Sequence, residues 1–275
     1  LANVEKAMTA ISLRYPDNGE FYEDRSVLRN AVIFTTAQRA YAAKRILKEP
    51  LDHLDDFGRA FLSVDSFAQF VVSTEDYVGW LDVLCSWEPG TAHHSLYALL
   101  DNVNVVKSTE SHLLDRLKLM DAAKFAALCH VPSSKDLKDA GWDNDKADLT
   151  VKMMEAQHKG GIEILERRAT KNRAMITAYN KSKHMLLGMY SVHKHKPVVQ
   201  LRKSATGYSN QGKGIWMEGT DLYCEIEDIR RRCFDSIQIQ AVLNELLRLL
   251  LNIRFGEELP PQIWVAESFE LPNWA

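Results

Sequence analysis

The residues with the clearest chemical character in this 275-residue chain are the cations and imidazoles between positions 167 and 203. This segment, called the basic stretch below, contains ten Lys or Arg residues and three His residues but no Asp or Glu. Ordinary surfaces mix both signs, so the pattern favours a negatively charged partner, such as RNA or another phosphate-bearing ligand. The alternative is a solvated basic face that pairs with acidic parts of the same chain. The candidate nucleic-acid contacts are Arg167, Arg168, Lys171, Lys181, Lys183, Lys194, Lys196, Arg202 and Lys203.

Three residues of the basic stretch have the types that acid–base chemistry on a phosphodiester requires. On a helix, Arg173, Asn180 and His184 fall on one face, within about 60° of one another. An imidazole titrates near neutral pH and can move protons. An arginine and an amide can hold a phosphate and stabilise developing negative charge. The pattern predicts a metal-independent ribonuclease site, unless Asn180 and His184 only cap or hydrogen-bond the hairpin that follows.

A polar, glycine-rich loop from Ser204 to Gly214 follows the basic stretch. Tyr208 could stack on a base and Lys213 could touch a phosphate, as in proteins that bind single strands. A metal site is also considered. Glu155 and His158 have the Glu-x-x-His spacing of di-iron bundles, but the sequence contains no second such pair. We therefore predict no metal and no cofactor.

The order of elements around the motif resembles a known family. A long helix with an Asn-Lys-x-Lys-His segment, then a β-hairpin and another long helix, resembles the HEPN superfamily over roughly residues 143–253. The resemblance implies an all-α domain of bacterial defence, toxin–antitoxin or RNA-processing systems, in which many members are dimeric endoribonucleases. Their hallmark is an Arg separated from a His by four to six residues. Ten residues separate Arg173 from His184 here, so only His184 is carried over from the family.

Hydrophobic periodicity predicts a mainly α fold, a helical bundle with a small β-hairpin inserted between the last two long helices. We expect a helix over 25–48, two helices over 51–87 split near Thr74, and a long helix over 146–190 interrupted at Gly160-Gly161. The hairpin strands are expected at 198–201 and 215–217. The last helix is expected over 221–253, capped by Thr220. Its buried stripe is expected to be Leu243, Leu246, Leu247, Leu250 and Leu251.

Charge divides the sequence unevenly. Residues 1–131 carry a net charge of −5, residues 132–205 carry +7 and residues 206–275 carry −5. Residues 1–131 are interpreted as a helical scaffold or dimerisation region and residues 132–275 as the HEPN-like region, and the two can form one continuous domain. The second functional hypothesis is therefore a non-catalytic subunit that mediates protein interaction or oligomerisation, with a homodimer as one form.

Cellular context follows from composition. None of the four cysteines forms a Cys-x-x-Cys pair, which indicates buried thiols in a reducing cytoplasm. No apolar run approaches the ~20 residues of a membrane-spanning helix, so no membrane partner is expected. No secretory leader is visible, although the chain begins at Leu1 and a signal upstream of it would not be seen.

Overall fold

The computed structural model describes residues 21–88, 92–102, 109–168, 175–177, 188–193, 196–208 and 215–259. Within these residues the fold is mainly α, as the sequence predicts, with a small antiparallel sheet before the last helix. The α-helices are α1 Phe21–Asn30, α2 Thr36–Lys48, α3 Asp56–Ser86, α4 Leu96–Asn102, α5 Thr109–Lys118, α6 Ala122–Leu128, α7 Ser134–Asp139, α8 Asn144–Glu166 and α9 Ile226–Phe255. The strands are β1 Gly188–His193, β2 Lys196–Tyr208 and β3 Ile215–Tyr223.

A widened turn joins α1 to α2. Residues Ala31–Thr35 form a π-helix, and the Thr36 hydroxyl donates to the carbonyls of Ala31 and Val32 at 3.1 and 3.0 Å. The amide of Asn244 on α9 donates to the Val32 carbonyl at 2.9 Å and to the Thr36 hydroxyl at 2.7 Å. The irregular turn is therefore held by buried side chains that satisfy its displaced backbone groups.

Helix α3 is one uninterrupted helix of 31 residues, so the expected split near Thr74 is wrong. Thr74 and its neighbour Ser73 are fully buried. The Thr74 hydroxyl donates to the Val71 carbonyl of the same helix at 2.7 Å. Burial and this local bond let a residue with N-cap character continue the helix instead of starting a new one.

A buried carboxylate fixes the end of α3. Asp24 accepts hydrogen bonds from the Trp87 indole Nε1 at 2.9 Å and from the Leu96 backbone N–H at 2.8 Å. Trp87 and Leu96 are themselves fully buried. The carboxylate of α1 thus satisfies two donors at the junction of α3 and α4.

Helix α8 passes through Gly160 and Gly161 without a break, so the expected interruption is wrong. A Cβ atom on Gly161 would lie 2.6 Å from the Tyr77 hydroxyl oxygen. Glycine at this position therefore allows α3 and α8 to approach closely. The expected extension of this helix to residue 190 is also wrong, because residues 188–193 form strand β1.

The sheet has the order β1-β2-β3, and both pairs are antiparallel. The predicted hairpin is present as β2 and β3, but both strands are longer than expected, and β1 was not predicted as a strand. The backbone pairs run from Val198↔Tyr223 to Tyr208↔Ile215, with an irregularity between Lys203 and Gly207. Because residues 220–223 belong to β3, α9 begins at Ile226, and the expected start at 221 with a Thr220 cap is wrong.

Helix α9 has the buried leucine stripe that the sequence predicts. Each of its five expected members is fully buried: Leu243, Leu246, Leu247, Leu250 and Leu251. The helix ends at Gly256, which adopts a φ of 64° and donates its N–H to the Asn252 carbonyl at 2.8 Å. No helix among the described residues combines the length and apolar character that crossing a bilayer requires.

The chain divides into two compact units. Unit 1 comprises Leu1–Tyr41, Glu75–Leu165 and Gln238–Ala275, and unit 2 comprises Ala42–Thr74 and Glu166–Ile237. The boundary expected from the sequence, between residues 131 and 132, lies inside unit 1. A small core of unit 2 is built around Ala43, Ile46, Leu51, Ile229 and Cys233.

Candidate functional site

The three residues predicted to carry catalysis lie outside the described part of the chain. These are Arg173, Asn180 and His184. The same holds for five predicted nucleic-acid contacts: Lys171, Lys181, Lys183, Lys194 and Lys213. Between them, residues 175–177 are helical, and Ile176 is buried. The ribonuclease geometry therefore stays a prediction.

The first two cations of the basic stretch are bonded within unit 2. Arg167 forms an ion pair with Asp235, with 2.6 Å between Nη1 and Oδ1. Burial raises the pKa of Asp235, and the nearby Arg167 and Arg231 oppose that rise. Arg168 is only 3% exposed and donates to the Thr74 hydroxyl at 2.7 Å and to the Val71 carbonyl at 3.4 Å. Arg168 is thus inside the unit, away from any surface that could contact a nucleic acid.

Lys196 begins β2 and keeps an exposed side chain. It forms an ion pair with Glu225, and this hydrogen bond raises the pKa of Lys196. An exposed ion pair contributes little to stability, because water and salt screen it. A phosphate group can therefore compete with Glu225 for this ammonium group.

The backbone of β2 holds the last two cations of the basic stretch in the central strand of the sheet. Arg202 pairs with Gly219 and Lys203 pairs with Glu218 in the register with β3. Tyr208, the predicted stacking residue, pairs with Ile215 at the far end of the same ladder. The sequence predicts that Tyr208 lies in a flexible loop, but the structure places its backbone at the end of strand β2. The pairing that extends the strand to Tyr208 is made with Ile215 of β3, which the local sequence pattern does not reveal.

A half-buried arginine that the sequence does not single out ties β3 to the helices of unit 2. Arg232 on α9 donates to the Ser63 hydroxyl at 2.8 Å and to the Tyr223 carbonyl at 3.1 Å. Its guanidinium carbon lies 5.9 Å from the centre of the Phe67 ring, within range of a cation–π contact. Burial lowers the pKa of Arg232 to about 10, so the group is still charged at neutral pH.

Charge also separates between the two units. Unit 2 contains 18 Lys or Arg and 12 Asp or Glu, a net charge of +6. Unit 1 contains 16 Lys or Arg and 25 Asp or Glu, a net charge of −9. The fold places residues 42–74 and the basic stretch in the same unit. Unit 2 is therefore the unit with a net positive charge.

Unit 1 contains a cleft of about 450 Å³, called the unit 1 cleft below. Its walls come from α6, the loop after it, α7 and α8, together with Arg254 near the end of α9. Small and apolar side chains form much of the lining: Ala122, Ala123, Ala126, Ala127, Val131, Pro132, Val151 and Met154. The charged residues that line it are Asp136, Glu155 and Arg254.

His130 occupies an unusual backbone position at the edge of this cleft. It has a φ of 58°, in the left-handed region, where helix ends usually place glycine. Its N–H bonds to the Ala127 carbonyl at 3.0 Å, and the Val131 N–H bonds to the Ala126 carbonyl at 2.8 Å. These two bonds form a Schellman motif that ends α6. Its left-handed position holds a histidine, whose Cβ makes this backbone conformation less favourable than it would be for glycine.

The side chain and carbonyl of His130 make contacts that join α6 to other parts of unit 1. Its ring lies edge-on to Trp87, with 5.6 Å between ring centres, and its carbonyl accepts a hydrogen bond from Arg254. Burial lowers the pKa of His130, and the positive charge of Arg254 adds to this effect. The imidazole is therefore neutral at physiological pH. No sequence pattern indicates this cluster, because its members come from distant parts of the chain.

Among the side chains that the structure describes, no group of three or more His, Cys, Asp or Glu residues could hold a metal ion. Comparison with known protein families, with curated proteins and with solved structures finds no match to this chain. The function must therefore be argued from its own residues.

Proposed function

We propose that this protein binds RNA through the basic stretch, 167–203, carried by unit 2. The observation that supports this most strongly is a run of 37 residues with ten Lys or Arg and no carboxylate. The net charge of +6 on unit 2 also supports the proposal, because the electrostatic attraction of a polyanion depends on the summed charge of the unit that it approaches. Phosphate contacts of this kind give affinity without reading sequence.

The Lys and Arg residues of the basic stretch are not equally available to contact phosphates. Arg168 is excluded from the surface by its burial, and Arg167 is bonded to Asp235. We assign the phosphate contacts to the remaining cations, with Lys196, Arg202 and Lys203 on the central strand of the sheet. In the proposal, Tyr208 adds base stacking and Lys213 adds positive charge.

Cleavage is assigned to His184, with Arg173 and Asn180 holding the phosphate. In this proposal, which follows the HEPN resemblance, the protein is a metal-independent endoribonuclease of a bacterial defence or toxin-type system. Replacing His184 with Ala should abolish cleavage and leave affinity within about twofold, because proton transfer and phosphate binding use different groups. Equal loss of binding and cleavage in this variant would refute the separate acid–base role.

The test is the affinity for a labelled single-stranded RNA over a salt series. For a single strand, the logarithm of the association constant should fall against the logarithm of salt concentration with a slope of about −0.7 per phosphate contacted. Replacing Lys181 and Lys183 by Gln should make the slope shallower by about 1.4. The matched control replaces Lys152 and Lys159, both exposed on α8 of unit 1, and should leave the slope unchanged. No binding at low salt would refute the proposal.

One structural observation favours the second hypothesis, a protein-interaction subunit. Phe57 and Phe61 lie one turn apart on α3 and are 58% and 70% exposed. Adjacent exposed aromatic rings are typical of an interface with another protein or another copy. Light scattering should then show an oligomer that the double substitution of Phe57 and Phe61 by Ser converts to a monomer. A monomer in the unsubstituted protein would exclude self-association through this face.

A further inference from the structure

The unit 1 cleft presents an apolar surface between helices α6 and α8. Its volume of about 450 Å³ is in the range of pockets that enclose aromatic rings and small molecules. The alanines of α6 line one part of it, and Val151 and Met154 of α8 line another. Val151 is 38% exposed, although it is apolar and lines a cleft. The charged residues of the lining include both signs, so the cleft fits an uncharged, apolar occupant better than an ion.

The described chain ends close to this cleft. Glu258 forms an ion pair with Lys146 of α8, with 3.5 Å between Oε1 and Nζ. The next residue, Leu259, accepts a hydrogen bond at its carbonyl from Arg248 at 2.5 Å. The Lys146 carbonyl accepts a hydrogen bond from the Thr150 hydroxyl at 3.0 Å, and Thr150 lines the cleft. The partner of Glu258 is therefore one helical turn, about 6 Å along α8, from a residue of the cleft wall.

The sequence that follows Leu259 has the character that the cleft requires. Residues 260–266, called the tail segment below, read Pro-Pro-Gln-Ile-Trp-Val-Ala and carry no charge. Two consecutive prolines favour an extended polyproline conformation, which rises about 3.1 Å per residue. Trp264 is five positions after Leu259, so its reach is about 15 Å. This reach covers the turn of α8 that separates the Glu258 ion pair from the cleft.

We propose that the tail segment docks in the unit 1 cleft, with the indole of Trp264 against the alanines of α6 and against Val151 and Met154 of α8. Burial of the indole drives this docking. The segment is tethered a few residues from the cleft, so its effective concentration there is on the order of millimolar. Even a weak intrinsic affinity therefore keeps the cleft covered. The docking does not involve the basic stretch, so it stands whether or not the protein binds RNA.

The test is fluorine NMR of the full chain labelled with 5-fluorotryptophan, which gives one resonance for each of the six tryptophans. Trp264→Phe and Trp274→Phe identify the two resonances of the C-terminal residues. A labelled peptide of residues 260–275 supplies the position of an undocked Trp264. In the full chain the Trp264 resonance should differ from this position and should lose its solvent isotope shift, because a docked indole is shielded from water.

Substitutions on both sides of the cleft locate the docked ring. Val151→Glu and Ala127→Glu each place a carboxylate at an exposed position of the lining, where an indole would remove its water. Each should move the Trp264 resonance to its peptide position and restore the isotope shift. The matched control Leu149→Glu, exposed on α8 outside the cleft lining, should leave the resonance unmoved. The Trp274 resonance should respond to none of the three substitutions.

The proposal is overturned if the Trp264 resonance of the unsubstituted protein coincides with that of the peptide. It is also overturned if either Val151→Glu or Ala127→Glu leaves the resonance unmoved, because the ring would then be docked elsewhere. A resonance that changes on dilution, together with a dimer in light scattering, would show the tail segment in the cleft of a second copy and would overturn intramolecular docking.

Discussion

Replacing Gly161 by Ala tests whether the contact between α3 and α8 requires a glycine. The added Cβ would lie 2.6 Å from the Tyr77 hydroxyl oxygen, closer than two such atoms can approach. Tyr77 is fully buried, so its ring can move only if neighbouring core side chains shift with it. The next atoms, Tyr77 Cζ and Leu117 Cδ1, lie at 3.6 and 3.7 Å, in ordinary contact. The clash therefore involves the hydroxyl alone.

The magnitude follows from two opposing effects. Overpacking of a buried contact costs about 1–3 kcal/mol. Replacing Gly by Ala inside a helix gains about 1 kcal/mol through backbone entropy. Gly160→Ala shows the gain without the clash, because its Cβ would meet only Val242 methyl groups at 3.9 and 4.0 Å. We therefore expect Gly161→Ala to be about 1–3 kcal/mol less stable than Gly160→Ala.

Removing the hydroxyl should rescue the substitution. The Tyr77 hydroxyl has no hydrogen-bond partner within the described part of the chain, so Tyr77→Phe loses no bond there. In the Tyr77→Phe background, Gly161→Ala should become neutral or stabilising, which gives a coupling energy of about 1–3 kcal/mol. Urea unfolding with unchanged m-values measures all four proteins. Equal stability of the two glycine variants, or no rescue by Tyr77→Phe, would refute the close-contact explanation.

Three further substitutions test other buried contacts. Asp24→Ala should lower the free energy of unfolding by about 2–4 kcal/mol, because the Trp87 indole and the Leu96 N–H lose a charged acceptor in a buried site; urea unfolding measures it. Arg232→Met should destabilise by about 1–3 kcal/mol, because the buried Ser63 hydroxyl and the Tyr223 carbonyl each lose a donor; the same assay applies. His130→Asn should remove a pH dependence. Burial and Arg254 lower the pKa of His130 in the folded protein. On acidification the unfolded chain therefore takes up this proton at a higher pH than the folded protein does, near pH 6.5, and the free energy of unfolding falls below that pH. The stability margin of the unsubstituted protein over His130→Asn should therefore shrink between pH 7.5 and 5.5.

The first two of these predictions have matched control variants. Asp115 is exposed on α5, so Asp115→Ala should change stability by less than about 0.5 kcal/mol. Arg231, next to Arg232, has a 67% exposed side chain that pairs with Asp228 on the same helix, and Arg231→Met should cost about 0–1 kcal/mol. Equal losses for Arg231→Met and Arg232→Met would contradict the role of Arg232 as a donor to Ser63 and Tyr223. A margin over His130→Asn that stays constant with pH would contradict the lowered pKa of His130.

The candidate site divides between what the sequence can show and what it cannot. The absence of carboxylates from the basic stretch is visible in the sequence, because it is a matter of composition. The internal bonds of Arg167 and Arg168 are not, because Asp235 and Thr74 lie 68 and 94 positions away. A surface cation and a buried one look identical in a charge count. The unit 1 cleft is invisible for the same reason, since α6, α8 and Arg254 meet only in the folded chain.

The helical class and the buried leucine stripe of α9 can be predicted from the sequence alone. Both depend on residues three and four positions apart, which share a face of any helix they form. Tertiary structure decided that α3 continues through Thr74 and α8 through Gly160 and Gly161, because buried packing outweighs the local tendency to stop. It also decided that residues 188–193 form a strand, since β1 exists only where β2 offers hydrogen-bond partners. Periodicity is local and therefore readable along the chain, whereas strand pairing, close helix contacts and the partner of a buried charge depend on residues that only folding brings together.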